Sequence, residues 1–299
     1  MIKPLRWLIR TTVFLLVLLA GPALIAACSS QSGQSWRDTD RSSAGIAPLP
    51  GQTEEAVVQV YGARAYNWRG NFAVHTWIAT KARGASTYEV HDVTGWGHKA
   101  VRSRPGEPDT AWYGNPPMLL ADLRGEKADA AIINIRTAID AYPFANEYKA
   151  WPGPNSNTFV AWVIRQVPEL NVALPNIAIG KDYLADGVFA KAPSGSGYQF
   201  SLNGYFGLMA SIREGVELNI LGLNIGVDPL ALAVKLPGIG HIGLLDPWMD
   251  RSTWHKTPVF KTSEKQCRRH PKPVAKRFHV FTSQLFSFGT IENFAHIAL

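Results

Sequence analysis

The sequence WPGPNSNTF at residues 151–159 ends one element of structure and begins a helix. Its two prolines and its glycine stop the preceding segment. Val160, Val163 and Val167 then follow Phe159 at the spacing of an apolar helix face. The sequence therefore predicts a helix that starts close to residue 156 and is stopped by the proline at 168.

The small polar residues Asn155, Ser156 and Asn157 are thereby placed where a loop becomes a helix. Backbone N–H groups are unpaired there and the helix dipole favours negative charge, so the hydroxyl of Ser156 would gain stabilisation as an anionic nucleophile. Asn155 and Asn157 are candidate binding residues beside it. The simpler interpretation is that Ser156 or Asn157 caps the helix, because serine and asparagine are preferred N-caps. The two roles are compatible.

The N-terminus has the pattern of an export signal. Lys3, Arg6 and Arg10 form a basic head, and an apolar run continues to residue 27. The small residues before Cys28 resemble the lipobox of bacterial lipoproteins, in which the cysteine is lipidated after cleavage. The alternative is an uncleaved membrane anchor, although the run is short for a full span and contains a proline. We predict a signal peptide over residues 1–27 and a lipid on Cys28.

The lipobox resemblance implies a location in the bacterial cell envelope, with the protein lipid-anchored on the periplasmic face. Ser29 stands where some lipoproteins carry an aspartate that retains them in the inner membrane, so the resemblance points to the outer membrane. Residues 28–53 are rich in Ser, Gly, Gln and Pro, which predicts a flexible tether. One folded domain is predicted over residues 54–245, followed by a basic segment of low order over 246–299.

The formal net charge of +7 is concentrated at the two ends of the chain. The basic head supplies part of it, and residues 256–277 contain eight Lys or Arg against the single Glu264. The rest of the chain is slightly acidic, so no basic groove is indicated and no nucleic acid partner is expected. The basic segment is predicted to be a solvated tail that can lie on anionic lipid. If Cys28 carries lipid, Cys267 has no cysteine to pair with.

Periodicity predicts an α+β fold. Strands are indicated at 56–65, 71–80 and 87–93, the last two as a hairpin, and a helix is indicated from Ala128 to Tyr142. From Tyr198 onward the pattern changes to short strands. We predict an antiparallel sheet packed against a few helices, with a β-rich C-terminal part.

The candidate chemistry is a serine paired with a histidine. No two histidines have the spacing of metal ligands, so neither a metal nor another cofactor is expected. His75 lies on a predicted strand and is the candidate base for Ser156. His91, or else Glu89, lies on the neighbouring strand and could orient the imidazole of His75. The alternative is that His75 is an ordinary half-buried histidine of the sheet.

Several motifs resemble, in the same order, the uncharacterised bacterial family DUF3750. The motifs are His75-Thr76-Trp77-Ile78, Tyr88-Glu89-Val90, Trp112-Tyr113-Gly114-Asn115, Tyr142 to Tyr148 and Trp151 to Phe159. The likeness extends through Pro175 to Tyr183, and we expect it to continue to about residue 245. The resemblance implies no activity, since the family is named for having none assigned.

A more distant resemblance is to circularly permuted papain-like hydrolases, relatives of the NlpC/P60 cell-wall peptidases. In those enzymes a strand histidine is followed later by Asn-Cys-Asn-x-Phe at a helix start. The resemblance implies a papain-like core with Ser156 as nucleophile, His75 as base and His91 as the orienting residue. This chain has serine where those enzymes have cysteine. Because a hydroxyl is a much weaker acid than a thiol, the change implies lost or altered catalysis as readily as a serine hydrolase.

Two functional hypotheses follow. In the first, a cell-envelope lipoprotein acts as a hydrolase or acyltransferase on amide or ester bonds through Ser156 and His75. In the second, the lipoprotein is not catalytic and binds peptidoglycan, lipid or a protein partner. Trp77 and Trp151 are then among the aromatic residues that would line its cleft, although large aromatic side chains also serve as core.

Overall fold

The computed structural model describes residues 3–29, 35–97 and 99–244, and these residues form three α-helices and two antiparallel β-sheets. The α+β class predicted from the sequence is confirmed at this level. The papain-like core is a finer statement and stays a prediction. The predicted C-terminal tail, with Cys267, lies outside the described residues.

The N-terminal helix α1 spans Lys3–Cys28 and continues through Pro22. It is long and apolar enough to cross a membrane, with a mean hydropathy of 2.3 over its most apolar window. A signal sequence and a membrane anchor share this property. Most of its large apolar side chains are exposed, although Leu18 is buried.

The first sheet has the strand order β4-β3-β2-β1-β5, and every neighbouring pair is antiparallel. The predicted hairpin is the pair β2–β3, in which Ile78 lies opposite His91. The strands are β1 (Val57–Arg64), β2 (Val74–Lys81), β3 (Glu89–Val93), β4 (Val101–Pro105) and β5 (Met118–Arg124).

Helices α2 (Gly125–Asp140) and α3 (Ser156–Gln166) cover one face of this sheet. Alternate residues of β2, such as Val74 and Ile78, join the helices in the main apolar core. The intervening residues, such as Trp77, join a smaller core on the opposite face. The sheet therefore has a helix face and an opposite face, which we call the aromatic face because Tyr61, Trp77, Tyr88 and Trp112 pack there.

Part of the predicted tether is bound to the domain. The buried carboxylate of Asp109 accepts hydrogen bonds from Ser43 Oγ at 2.6 Å and from the Ala47 N–H at 3.0 Å. The hydroxyl of Tyr88 donates to the carbonyl of Pro48 at 2.9 Å. Residues 43–48 are therefore not a free linker, because they supply the donors that a buried carboxylate requires.

The second sheet is a meander in which each strand pairs with the next along the chain, from β6 at one edge to β12 at the other. The pair β9–β10 is a hairpin whose turn contains Gly222. The strands are β6 (Phe189–Lys191), β7 (Gly197–Leu202), β8 (Phe206–Ser211), β9 (Gly215–Ile220), β10 (Leu223–Asp228), β11 (Ala233–Leu236) and β12 (Gly240–Gly243).

A buried charge cluster lies against one side of the second sheet. Lys181 Nζ is 2.6 Å from Glu217 Oε2 and 3.2 Å from Asp182 Oδ1, and Lys235 Nζ is 2.7 Å from Glu217 Oε1. Asn219 donates to Asp182 Oδ2 at 3.1 Å. Burial opposes the charge of Lys181, but the carboxylates of Asp182 and Glu217 outweigh it and raise the pKa of Lys181. Burial likewise opposes the charge of Glu217, but the two lysines lower its pKa below the ordinary value.

Candidate functional site

Helix α3 begins where the sequence predicts, but its cap is Asn155 and not Ser156 or Asn157. The side chain of Asn155 accepts hydrogen bonds from the N–H groups of Asn157 at 2.9 Å and Thr158 at 3.2 Å. The Asn155 N–H in turn donates to Thr158 Oγ1 at 3.1 Å, which completes a capping box. The terminal N–H groups that would stabilise an oxyanion are thus partly used by the cap.

The cap is held in place by the loop before residue 181. Asn155 Nδ2 donates to the carbonyls of Ala150 at 3.1 Å and Ile179 at 3.0 Å. Gly180 has a φ of +102°, and a Cβ at this residue would collide with the Asn155 side chain. Asn155, a candidate binding residue, therefore has both its amide donor and its amide acceptor hydrogen-bonded within the chain.

Asn157 connects α3 to strand β2. Its Nδ2 donates to the carbonyls of Val74 at 2.9 Å and Ile179 at 2.7 Å, and its Oδ1 accepts from Thr76 Oγ1 at 2.9 Å. Asn157 is buried, so these three bonds satisfy a polar side chain in the interior. The Asn157 side chain thus holds α3 against β2, and its hydrogen-bonding groups are not free to bind a ligand.

Ser156 and His75 lie on opposite faces of the first sheet. Thr76 points to the helix face, where its hydroxyl contacts Asn157 and, at 3.5 Å, the backbone carbonyl of Ser156. Because successive side chains of a strand point to opposite faces, His75 points to the aromatic face. Its pairing partner Ala63 and its neighbour Trp77 both belong to the core on that face. The structure does not bring together the predicted nucleophile and base.

His75 is enclosed by aromatic rings. Its imidazole stacks on the indole of Trp112 with ring centroids 3.6 Å apart, and Trp77 lies on the same face with centroids 5.8 Å away. Its Nε2 is buried and has no hydrogen-bond partner. Burial lowers the pKa of His75 to about 3, and the positive charge of Arg102 contributes in the same direction. The side chain is a neutral ring packed on the aromatic face, away from the helix face where α3 lies.

His91 does not orient His75. His91 is on β3, opposite Ile78 of β2, and directly opposed side chains point to the same face, so His91 points to the helix face. Ile78 is three residues after His75 along β2, so His91 is also displaced from His75 along the strand direction. Its ring nitrogens are hydrogen-bonded to Thr80 Oγ1 at 3.0 Å and Ser103 Oγ at 2.8 Å. Burial lowers its pKa, and the carboxylate of Glu89, 3.9 Å away, only partly offsets this. Glu89 itself lies 3.5 Å from Arg136.

The two tryptophans predicted to line a binding cleft, Trp77 and Trp151, differ in how far their side chains are exposed. Trp77 is buried, and its indole N–H donates to the carbonyl of Pro108 at 2.7 Å. Trp151 is half exposed, stacks edge-on against Tyr205, and donates to the carbonyl of Leu221 at 2.8 Å. Only Trp151 of these two presents aromatic surface to a ligand, and it does so next to the second sheet.

The two cavities that the described residues form most clearly lie away from the predicted site. Two of the cavities formed by described residues are a small one beside His241 and a groove of about 250 Å³ beside Glu89 and Arg136, and neither is lined by Ser156 or His75. Within residues 3–29, 35–97 and 99–244 no group of three or more His, Cys, Asp or Glu side chains is arranged to hold a metal.

Comparison with known proteins adds one match. Residues 55–183 match the family model DUF3750, a protein family of unknown function. No curated protein and no solved structure matches the chain. The DUF3750 match covers the first sheet, α2, α3 and the loop that holds the Asn155 cap. It ends before the second sheet, so a DUF3750 likeness up to residue 245 stays a prediction.

We expect His75 to make the fold sensitive to acid. Because its pKa is about 3 when folded and about 6.5 when unfolded, the unfolded chain binds a proton that the folded chain does not. Stability from this source is complete above about pH 6.5 and falls as the pH drops toward 3; the loss at pH 5 is about 2 kcal/mol.

The variant His75→Phe tests this expectation. Phenylalanine can keep the stack on Trp112, and it gives up no hydrogen bond at the Nε2 position. Urea unfolding of both proteins at pH 7.5 and pH 5 should show a stability loss about 2 kcal/mol smaller in the variant. Equal losses in the two proteins would mean that His75 is solvated and able to titrate, contrary to the packing described.

Proposed function

We propose that this chain is a membrane-attached protein of the bacterial cell envelope that acts by binding rather than by catalysis. The observation that carries the proposal is the separation of Ser156 from His75 by the first sheet, with His75 neutral in an aromatic stack. A serine hydroxyl needs an aligned base to become a nucleophile at neutral pH. The polar groups around Ser156 are engaged in capping and in holding α3 on β2.

The attachment to the membrane is proposed from the N-terminus. Helix α1 has the length and apolar character of a signal sequence or anchor, and Cys28 is exposed at its end. A lipid on Cys28 would hold the mature protein on the periplasmic face, with the outer membrane as the proposed site. Residues 43–48 pack on the domain, so the connection between Cys28 and the packed segment is no longer than residues 29–42.

A serine-directed fluorophosphonate probe separates binding from catalysis. We expect no Ser156-dependent labelling of the folded full-length chain, because His75, the predicted base, packs on the opposite face of the first sheet. The comparison is wild type against Ser156→Ala, with an active serine hydrolase in the same sample to show that the probe is competent. Labelling of the wild type that disappears in Ser156→Ala would refute the proposal and restore the hydrolase hypothesis.

A further inference from the structure

The second sheet has an apolar face turned away from the protein interior. One row of paired residues crosses six of its strands through Tyr198, Ala210, Val216, Val227, Val234 and Ile242. None of these side chains is polar except for the tyrosine hydroxyl, and none is buried. The neighbouring row contains Leu208, Leu218 and Ile225, which are likewise exposed or half exposed. We call this surface the outer face.

The opposite side of the same sheet is polar and buried. Gln199, Glu217 and Lys235 occupy one inward row, and Asn219 and Asn224 occupy the next. A soluble antiparallel sheet normally alternates in the other sense, with apolar side chains inward and polar ones outward. Strands that face lipid have the opposite pattern, in which the apolar side chains point outward and the polar side chains point inward.

The outer face is a contiguous apolar patch, in contrast to the scattered single apolar residues of an ordinary protein surface. Phe189 and Tyr198 are 74% and 71% exposed, and many other large apolar side chains of β6–β12 and their turns are about half exposed. They are contiguous across paired strands, and a large contiguous apolar patch on a protein surface marks a site of interaction. Such a surface needs a partner.

Charge favours an anionic lipid surface as that partner. The three acidic residues between 189 and 244, Glu214, Glu217 and Asp228, are all buried, whereas Lys191 and Arg213 are exposed. The basic segment 256–277 follows β12 in the sequence. The exposed part of the second sheet therefore carries no anionic side chain, which suits contact with acidic headgroups.

The position of α1, the helix that can cross a membrane, also favours lipid as the partner of the outer face. In the unprocessed chain, Gly21 and Pro22 of α1 lie against Pro237 and Gly238, in the turn between β11 and β12, so closely that a Cβ on Gly21 would overlap the Pro237 carbonyl. The helix that can cross a membrane thus touches the edge of the sheet that bears the outer face.

The strands are too short to cross the bilayer. The longest in this sheet have six residues, or about 20 Å at about 3.4 Å per residue, and a membrane-spanning strand needs about 9–11 residues. The two edge strands are also unpaired to each other, so the sheet does not close into a barrel. A sheet of this size can lie in the interface with its outer face toward the acyl chains.

We propose that the outer face of the second sheet rests on the surface of an anionic lipid bilayer. The inference rests on the proposed binding function and names the partner as lipid. It gives the protein two contacts with the membrane, one at the N-terminus and one across the outer face. The sheet lies flat, and the first sheet with α2 and α3 stands away from the lipid.

Depth-dependent quenching in vesicles tests this orientation. The full-length chain with Cys267→Ser is reconstituted into phosphatidylglycerol-containing vesicles, and an environment-sensitive fluorophore is attached at Leu208→Cys on the outer face. The matched control is Ile133→Cys, an apolar position on α2 that is at least as exposed as Leu208, and the parent without a new cysteine gives the background. Circular dichroism confirms that the labelled proteins are folded.

We expect nitroxide-labelled lipids to quench the probe at residue 208 several-fold more strongly than the probe at residue 133, with a blue-shifted emission at 208 only. Equal quenching at the two positions would overturn the proposal. So would a probe at 208 that aqueous iodide quenches freely. Protection of residue 208 from both quenchers would show that a second copy or residues 245–299 cover the outer face, which also overturns it. None of these outcomes depends on Ser156 labelling, so the two proposals fail separately.

Discussion

Replacing Lys181 by methionine is expected to destabilise the fold by about 3–5 kcal/mol. The Lys181 ammonium is completely buried and lies between the carboxylates of Glu217 and Asp182. Methionine has nearly the same length but no charge, so it leaves Glu217 with Lys235 alone and removes the ion pair of Asp182. A buried carboxylate without its counter-ion costs several kcal/mol, which is why removal of one partner is far worse than removal of a whole pair.

Chemical unfolding of the full-length chain, followed by circular dichroism, measures this loss. Lys191→Met is the matched control, because Lys191 is an exposed lysine on β6 of the second sheet. We expect this control substitution to change the free energy of unfolding by no more than about 0.5 kcal/mol. Adding Asp182→Asn to Lys181→Met should restore part of the stability, since the carboxylate left without its ion pair is then neutral while Glu217 keeps Lys235. A loss of less than about 1 kcal/mol in Lys181→Met would mean that water reaches the cluster.

The same cluster sets the pH range over which it stabilises the fold. The pKa of Glu217 is lowered, so its contribution is present above its unfolded value, near 4.5, and is lost as the pH falls through the lower folded value. The pKa of Lys181 is raised, so its contribution is complete below its unfolded value, near 10.5, and is lost as the pH rises through the higher folded value. Between these limits Glu217 and Lys181 are both charged.

The local elements could be predicted because each has its own pattern. Helix α3 follows from the proline stop and the apolar spacing after Phe159, and the hairpin β2–β3 follows from two strand patterns joined by a short turn. The site could not be predicted in this way. Whether His75 faces Ser156 depends on which alternate set of β2 side chains packs under α3, and Thr76, not His75, belongs to that set.

The second sheet shows a different limit. Apolar residues at every second position from Tyr198 to Ile242 are visible in the sequence, and we predicted strands there. The usual expectation is that the apolar set faces the core. The structure instead buries Glu217 and Lys235, because Lys181 and Asp182, distant in sequence, supply the charges that balance them. That compensation is a tertiary contact, and alternation alone does not reveal it.

Asn157→Ala is expected to cost about 3 kcal/mol, and Ser156→Ala no more than about 1 kcal/mol, although the two residues are adjacent and both buried. The Asn157 side chain makes three hydrogen bonds that join α3 to β2 and to the loop at Ile179, and alanine would leave the Thr76 hydroxyl and two carbonyls without these partners. Ser156 meets β2 through its backbone carbonyl, which alanine retains.

The comparison of these two variants distinguishes a structural from a catalytic origin of the Asn-Ser-Asn motif. If the motif exists to hold the helix on the sheet, stability depends on Asn157 and hardly on Ser156, as the hydrogen bonds require. A reactive site has the opposite signature, because removing a strained or desolvated nucleophile often stabilises a protein. Unfolding in urea measures both differences under one condition. A gain in stability for Ser156→Ala, with little loss for Asn157→Ala, would mean that the helix start is organised around the serine hydroxyl after all.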